Sequence, residues 1–240
     1  MSGHSHWSTI KHKKEATDKK KGALFSQAAR LISLAARQGG ADPESNFELR
    51  SAIDKARAIN MPNKNVERAI ERGAGTGTDQ EEWNRVSYEA FGPGQTALII
   101  EGITNNKNRT LEEVKGLLSR HDAKFAEPGS VRWLFKHSGR LVIADGLKDK
   151  ENSELKAIEA GAVELEWIDD NLNVYVDPDT INESRKMIEQ KGLTVTEQFL
   201  DWIAQEEITI DEQSREKLSK LLDALSEHDD IQEVYFNANL

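Results

Sequence analysis

Between Leu141 and Leu193 the spacing of apolar residues switches back and forth between two periods, and those switches constrain the fold more than any other feature of the chain. Leu141 to Ala144 reads as a strand, Glu151 to Ala160 as a helix, Val163 to Ile168 and Leu172 to Val176 as strands, and Thr180 to Gln190 as a helix. A last strand begins near Leu193. This is the ferredoxin-like order, with Asp169-Asp170-Asn171 supplying the residue types of a tight turn between the two middle strands.

The flanks carry related pieces. Thr96 to Ile103 reads as a strand, Arg109 to His121 as a helix with Leu111, Val114, Leu117 and Leu118 on one face, and Val131 to Phe135 as a strand. That βαβ unit lacks an αβ pair, and the end of the chain supplies one: a helix with Leu218, Leu221, Leu222 and Leu225, then a strand from Ile231 to Phe236. The expectation is a discontinuous α+β domain, residues 79–137 plus 205–240, with a complete ferredoxin-like domain of the same kind, residues 138–204, inserted in it. A single large mixed sheet has the same element order and stays open as an alternative.

Residues 1–78 read differently. Leu24, Ala28, Leu31, Ile32 and Ala35 recur at steps of three and four, and Gly39-Gly40 ends that helix. After Asp42-Pro43, Leu49, Ala52, Ile53 and Ala56 repeat the stripe. Pro62 opens a third helix, with Val66, Ala69 and Ile70 as its apolar face and Gly73 as its stop. The fold class expected is α+β, an N-terminal three-helix bundle followed by two ferredoxin-like domains. Gly73 to Thr78 reads as a linker that lets the head move. As a phosphate loop it is poorly placed, because it follows a helix and precedes none.

The charge is divided. The chain is −10 overall, but residues 1–75 are +6 and residues 76–240 are −16. A basic end on an acidic body points to contact with nucleic acid, although lysine-rich ends are also often simply solvated. The absence of cysteine excludes disulfides, thiolate metal sites and cysteine nucleophiles, and favours a reducing compartment, here the cytoplasm. No run approaches the length of a membrane span.

The densest chemistry lies in Gly3-His4-Ser5-His6-Trp7, Ile10-Lys11-His12-Lys13-Lys14 and Asp18-Lys19-Lys20-Lys21. Lysines displace counterions from phosphates, and an exposed indole stacks on an unpaired base; Trp7 folding back over the bundle is an equal alternative. Lys107 and Arg109, in the segment Asn105 to Thr110, have the placement of a phosphate-holding loop. Plain capping is favoured there, because Thr110 and Glu113 have capping-box spacing. No nucleophile elbow, zinc-binding His pair or Walker loop is present, and His121, His137 and His228 have no partner in sequence. Glu164 with Glu166, or Asp169 with Asp170, reads as a solvated strand face before it reads as a Mg²⁺ site. No catalytic residue, metal or cofactor is expected.

Gly-His-Ser-x-Trp at Gly3, Ile10-Lys11-His12-Lys13-Lys14, Asn60-Met61-Pro62, Arg68-Ala69-Ile70 with Arg72-Gly73, Tyr88-Glu89, Gly92-Pro93-Gly94, Asn108-Arg109-Thr110 and Gly129-Ser130-Val131 together resemble the YebC/PmpR family. That family includes the mitochondrial translational activator of cytochrome c oxidase subunit I. The resemblance runs from Gly3 to Phe236. It implies three domains, no enzyme activity and a role in gene expression. Members are mostly described as DNA-binding transcriptional regulators, while others act in translation at the ribosome, including at proline-rich stalls. It also implies that His4, Ser5, Trp7, Lys11, His12, Lys13, Lys14, Lys20 and Lys21 contact phosphates or bases. Three positions often basic in the family are His6, Ala23 and Gln27 here, which implies a weaker-binding head, and a usual glycine pair is replaced around Asp122-Ala123.

The expected function is a DNA-binding regulator. A ribosome-associated factor that binds structured ribosomal RNA is the runner-up, and an adaptor whose lysines are merely solvated is a third reading. The expected partner is DNA or ribosomal RNA, with no membrane contact, and a monomer is favoured.

Overall fold

The computed structural model describes residues 18–75, 83–144, 149–168 and 170–240, in two compact units. One comprises the chain up to Leu134 together with Ala204–Leu240, and the other is Phe135–Ile203.

The first unit begins with three helices, α1 (Asp18–Gly39), α2 (Phe47–Ala58) and α3 (Asn63–Gly73). Ile32, Ala35, Leu49, Ala56, Val66 and Ala69 fill the space between them. Each fully buried Leu or Ile contributes about 1.5–3 kcal/mol by leaving water, and small residues set the spacing. Asn46 caps α2 by accepting from Leu49 N–H, while its amide donates to the carbonyls of Ala35 and Gly40. Gly73 is the last residue of α3 and is buried against α1: a Cβ there would come 2.2 Å from the Ser33 carbonyl. It is a helix contact and so not part of the expected linker; residues 76–78 lie outside the described residues.

The sheet of this unit contains β1 (Asn84–Phe91), β2 (Ala97–Thr104), β3 (Lys124–Ala126) and β9 (Ile231–Phe236), in the order β3-β1-β2-β9. Helices α4 (Lys107–Arg120) and α7 (Glu212–Ser226) bury Val114, Leu118, Leu218 and Leu222 in the core with Leu98, Ile100, Val234 and Phe236. Strand β1 was not expected. It alternates through Val86, Tyr88 and Ala90, but Glu89, a charged residue in its middle, is buried, which breaks the usual polar face. Conversely, Val131 to Leu134 is not a strand. Val131 is wholly buried, yet its N–H and that of Arg132 donate to the Glu89 carboxylate in place of a neighbouring strand, and Arg132–Leu134 forms a 3₁₀ turn.

The second unit holds β4 (Phe135–Ile143), α5 (Lys150–Glu159), β5 (Glu164–Ile168), β6 (Asn171–Val176) and α6 (Ile181–Gln190). It ends with β7, which spans Val195–Ala204. Its sheet order is β5-β6-β4-β7, with β6 antiparallel to both β4 and β5, which is the ferredoxin-like arrangement. The turn into β6 has Asp170 at φ 71°, a conformation that Asp and Asn tolerate better than most residues. The first unit's sheet has the same spatial order. There β3, β1, β2 and β9 take the places of β5, β6, β4 and β7, although β1, the counterpart of the third strand, comes first in the chain. A short parallel pair, β8 (Ile208–Thr209) with β10 (Ala238–Asn239), completes the first unit.

Candidate nucleic-acid interface

Of the residues assigned to the basic segment, His4, Ser5, Trp7, Lys11, His12, Lys13 and Lys14 lie outside the described residues. Lys20 and Lys21 fall in the first turn of α1, where Lys21 is exposed. What the structure describes is how that helix is held.

The anchor is Asp230, the residue before β9, whose side chain is only 2% exposed. Its backbone reaches the sheet because Gly102 has no side chain: a Cβ at Gly102 would lie 2.5 Å from the Asp230 carbonyl, which accepts from Ile103 N–H at 2.8 Å. A register shift between Glu101 and Gly102 marks the same place in the β2–β9 ladder. On the side chain, Oδ2 accepts from the Thr110 hydroxyl at 2.6 Å and from Arg109 Nη2 at 2.9 Å, and Oδ1 lies 3.2 Å from Arg30 Nη2. Burial pushes the Asp230 carboxyl up, but the Thr110 and Arg109 hydrogen bonds and the Arg30 charge outweigh it and hold it below the ordinary aspartate value.

Arg30 also donates to the Asp229 carbonyl, and its guanidinium lies 5.3 Å from the centre of the Trp83 ring. One turn earlier on α1, Gln27 donates to the carbonyls of Ser226 and His228, both at 3.1 Å, where α7 ends. Gln232 donates back to the Gln27 carbonyl, and Leu31 and Leu34 pack with Trp83 and Ile103. Ala23 and Gln27, which the family resemblance casts as lost cations of the binding head, are thus buried residues of α1. Gln27 satisfies carbonyls at the negative end of α7, a task a lysine performs as well.

Lys107 and Arg109 stand in the first turn of α4, which Asn106 caps by accepting from Arg109 N–H at 3.1 Å. The cap is therefore Asn106, and the Thr110–Glu113 spacing forms no capping box, because Thr110 is buried inside the helix with its hydroxyl on Asp230. Lys107 is exposed. Arg109 faces Asp230 and Glu113.

His228, without a partner in sequence, has two in space. Its Nδ1 accepts from Asp230 N–H at 3.1 Å, so Nε2 carries the hydrogen and donates to Glu113 at 3.0 Å. Glu113, His228 and Asp230 present ligand atoms within 4.8 Å of one another, but both ring nitrogens are engaged and two guanidiniums face the carboxylates, so the set suits an ion-pair hub and repels a cation. An open cleft of about 510 Å³ beside it is lined by Arg30, Arg109 and Arg120 together with Glu112, Glu113 and Asp229. His137 stacks on Trp202, with ring centres 4.6 Å apart. Glu166 accepts from the Tyr175 hydroxyl at 3.2 Å, and Asp169 lies outside the described residues.

A second buried acid orders the other end of the sheet. Glu89 accepts from the N–H groups of Gly129, Val131 and Arg132 at 2.8–3.1 Å. Burial raises its carboxyl, while those three amides and the Arg132 charge together bring it below the ordinary glutamate value. Tyr88-Glu89 of β1 and the segment Gly129-Ser130-Val131 are thus joined through the Glu89 carboxylate, and Asn108-Arg109-Thr110 meets Asp230.

Comparison with known proteins decides the family. A model described as TACO1/YebC protein N-terminal domain matches residues 5–76, and one described as TACO1/YebC second and third domain matches residues 83–238. The chain belongs to the TACO1/YebC family. Among its relatives, a protein of Halothermothrix orenii is 42% identical over 100% of this chain and 96% of its own length, and one of Dictyoglomus turgidum is 40% identical over the same shares. Both are named probable transcriptional regulatory protein. The crystal structure of a conserved hypothetical protein from Aquifex aeolicus is similar, with a TM-score of 0.83 and 36% identity, covering 98% of this chain and 97% of that one. Transcriptional regulation is thus the role that the names of TACO1/YebC relatives carry. No helix among the described residues is long and apolar enough to cross a membrane.

Proposed function

We propose that this TACO1/YebC protein is a non-enzymatic, cytoplasmic regulator of gene expression that binds DNA through the basic segment leading into α1. The observation that supports it is the joining of that segment to a helix fixed by Gln27 and Arg30 to the α7–β9 corner. Cations on a chain of net charge −10 are thereby presented from a rigid base. In this reading residues 1–78 bind, residues 79–137 with 205–240 hold the head, and the inserted residues 138–204 act elsewhere. His4, Ser5, Trp7, Lys11, His12, Lys13, Lys14, Lys20 and Lys21 supply phosphate and base contacts, with Lys107 an exposed cation of the body.

One observation favours a second reading, structured ribosomal RNA as the target. Residues 76–240 carry −16, which opposes close approach of a long duplex, whereas a short basic segment can contact a folded RNA with the acidic body kept away from it. The test is sedimentation of wild-type and Lys11→Glu/Lys13→Glu/Lys14→Glu protein with ribosomes, beside a duplex-DNA shift at the same salt. A sequence-dependent DNA shift with no cosedimentation supports the regulator. Cosedimentation lost in the variant, with weak sequence-blind DNA binding, makes the protein a translation factor.

A further inference from the structure

Helix α3 carries three cations outside the basic segment. Lys64, Arg68 and Arg72 recur every four residues, so they lie along one face of the helix, spread over about 12 Å at 1.5 Å per residue. Val66, Ala69 and Gly73 occupy the opposite face and are buried; Ser33 of α1 donates to the Ala69 carbonyl at 2.8 Å there. The cation face therefore points away from the bundle, with Lys64 and Arg68 exposed.

These three side chains have no acidic partner among the described residues. Exposed cations elsewhere in this acid-rich chain commonly do: Arg57 lies 3.3 Å from Asp54, Arg85 3.6 Å from Glu48, Lys115 3.0 Å from Glu112 and Lys217 2.8 Å from Asp122. Glu67 is on the same helix three residues after Lys64, and among the described residues the two form no ion pair. The helix also has no acid in its first turn, so the positive end of its dipole adds to Lys64. A row of unneutralised cations on a rigid helix suits a polyanion with charges repeating along a line.

We propose that the Lys64, Arg68 and Arg72 face of α3 is a second contact surface for the sugar–phosphate backbone of a nucleic acid, separate from the basic segment ahead of α1. It rests on the nucleic-acid reading above and adds to it a surface that requires no base recognition. Arg68-Ala69-Ile70 and Arg72-Gly73 then have a division of labour, with the small and apolar residues facing the bundle and the arginines facing phosphate.

The test is fluorescence anisotropy of the full chain with a short labelled DNA duplex and, separately, a labelled RNA hairpin, across a salt series. The variants are Lys64→Gln/Arg68→Gln/Arg72→Gln, the charge-keeping Lys64→Arg/Arg68→Lys/Arg72→Lys, and Lys11→Gln/Lys13→Gln/Lys14→Gln, with thermal melts to verify folding. The expected result is that the α3 glutamine variant lowers the slope of log affinity against log salt by about 2 to 3, on whichever probe the wild type binds, and that the charge-keeping variant does not. An α3 glutamine variant with wild-type affinity and slope, beside a weakened Lys11/Lys13/Lys14 variant, overturns the α3 surface and leaves the proposed function standing. A wild type that binds neither probe overturns both.

Discussion

Arg30 of α1 and Asp230 before β9 approach to 3.2 Å, and that contact ties the first described helix of the chain to its last long strand. Asp230 is almost fully buried, so removing its charge leaves Arg30, itself 15% exposed, and Arg109 facing a neutral group. Asp230→Asn is expected to cost about 2–4 kcal/mol, because breaking a buried pair exposes the partner's desolvation penalty. Asp229, whose side chain is 56% exposed, is the control, and Asp229→Asn is expected to cost less than about 1 kcal/mol. Urea denaturation of the two variants checks the difference, and equal midpoints would refute the anchor.

Asp230 and Glu89 also set an acid limit. Both carboxyls are held below their ordinary values in the folded chain. A group whose folded value is depressed stabilises above its unfolded value, about 4 for these acids, and that contribution is lost as pH falls through the folded value. The melting temperature is therefore expected to be steady with respect to these two groups near neutrality and to fall below about pH 4. A Glu89→Gln variant should start lower at pH 7 and show a shallower acid decline. A variant with the wild-type slope would mean that Glu89 does not contribute to it.

The helices of the head, the inserted βαββαβ order and the closing strand Ile231–Phe236 were legible because each carries an apolar period that packing did not override. What misled were residues whose role is set by distant partners. Val131 and Leu134 look like strand residues because they are apolar, but a buried Glu89 takes the neighbouring amides and bends the backbone. Thr110 looks like a cap, but Asp230 takes its hydroxyl from far along the chain. At the candidate site, Lys20 and Lys21 declare themselves by charge alone. Gln27, Arg30 and Asp230 carry no local signal, since their partners are brought together only by the sheet.

Glycines give opposite expectations at two positions. At Gly73 a Cβ would meet the Ser33 carbonyl at 2.2 Å and the Ala36 Cβ at 2.9 Å, so Gly73→Ala forces α3 off α1 and is expected to cost about 1–3 kcal/mol. Gly116 lies inside α4, where the nearest atom to a new Cβ is the end of the Arg120 side chain at 3.6 Å. Gly116→Ala should stabilise by about 0.5–1 kcal/mol through helix propensity. Thermal melts that move in the same direction for both variants would contradict this packing.

Asp122 occupies the left-handed region at φ 56°, which glycine adopts without strain. Here its carboxylate pairs with Lys217 at 2.8 Å, and the hydrogen bond and charge of Lys217 hold the Asp122 carboxyl below its ordinary value. Asp122→Gly is expected to keep the wild-type urea midpoint, relief of strain offsetting an exposed ion pair of small worth. Asp122→Val, with a branched side chain in the same conformation, should be distinctly less stable in the same urea titration.

Gln27 separates a structural from a binding role for its position. Its amide holds the carbonyls of Ser226 and His228 at the end of α7, so a lysine there has carbonyl acceptors and a favourable dipole. Gln27→Lys should keep stability within about 1 kcal/mol and leave nucleic-acid affinity at the wild-type value, despite the added charge. Gln27→Leu removes the side-chain donor from both carbonyls, although that of His228 keeps Ile231 N–H at 3.1 Å, and should lose about 1 kcal/mol. If Gln27→Lys instead tightens binding and steepens its salt dependence, the residue at 27 faces the nucleic acid, and the docking of α1 on the α7–β9 corner does not persist in the complex.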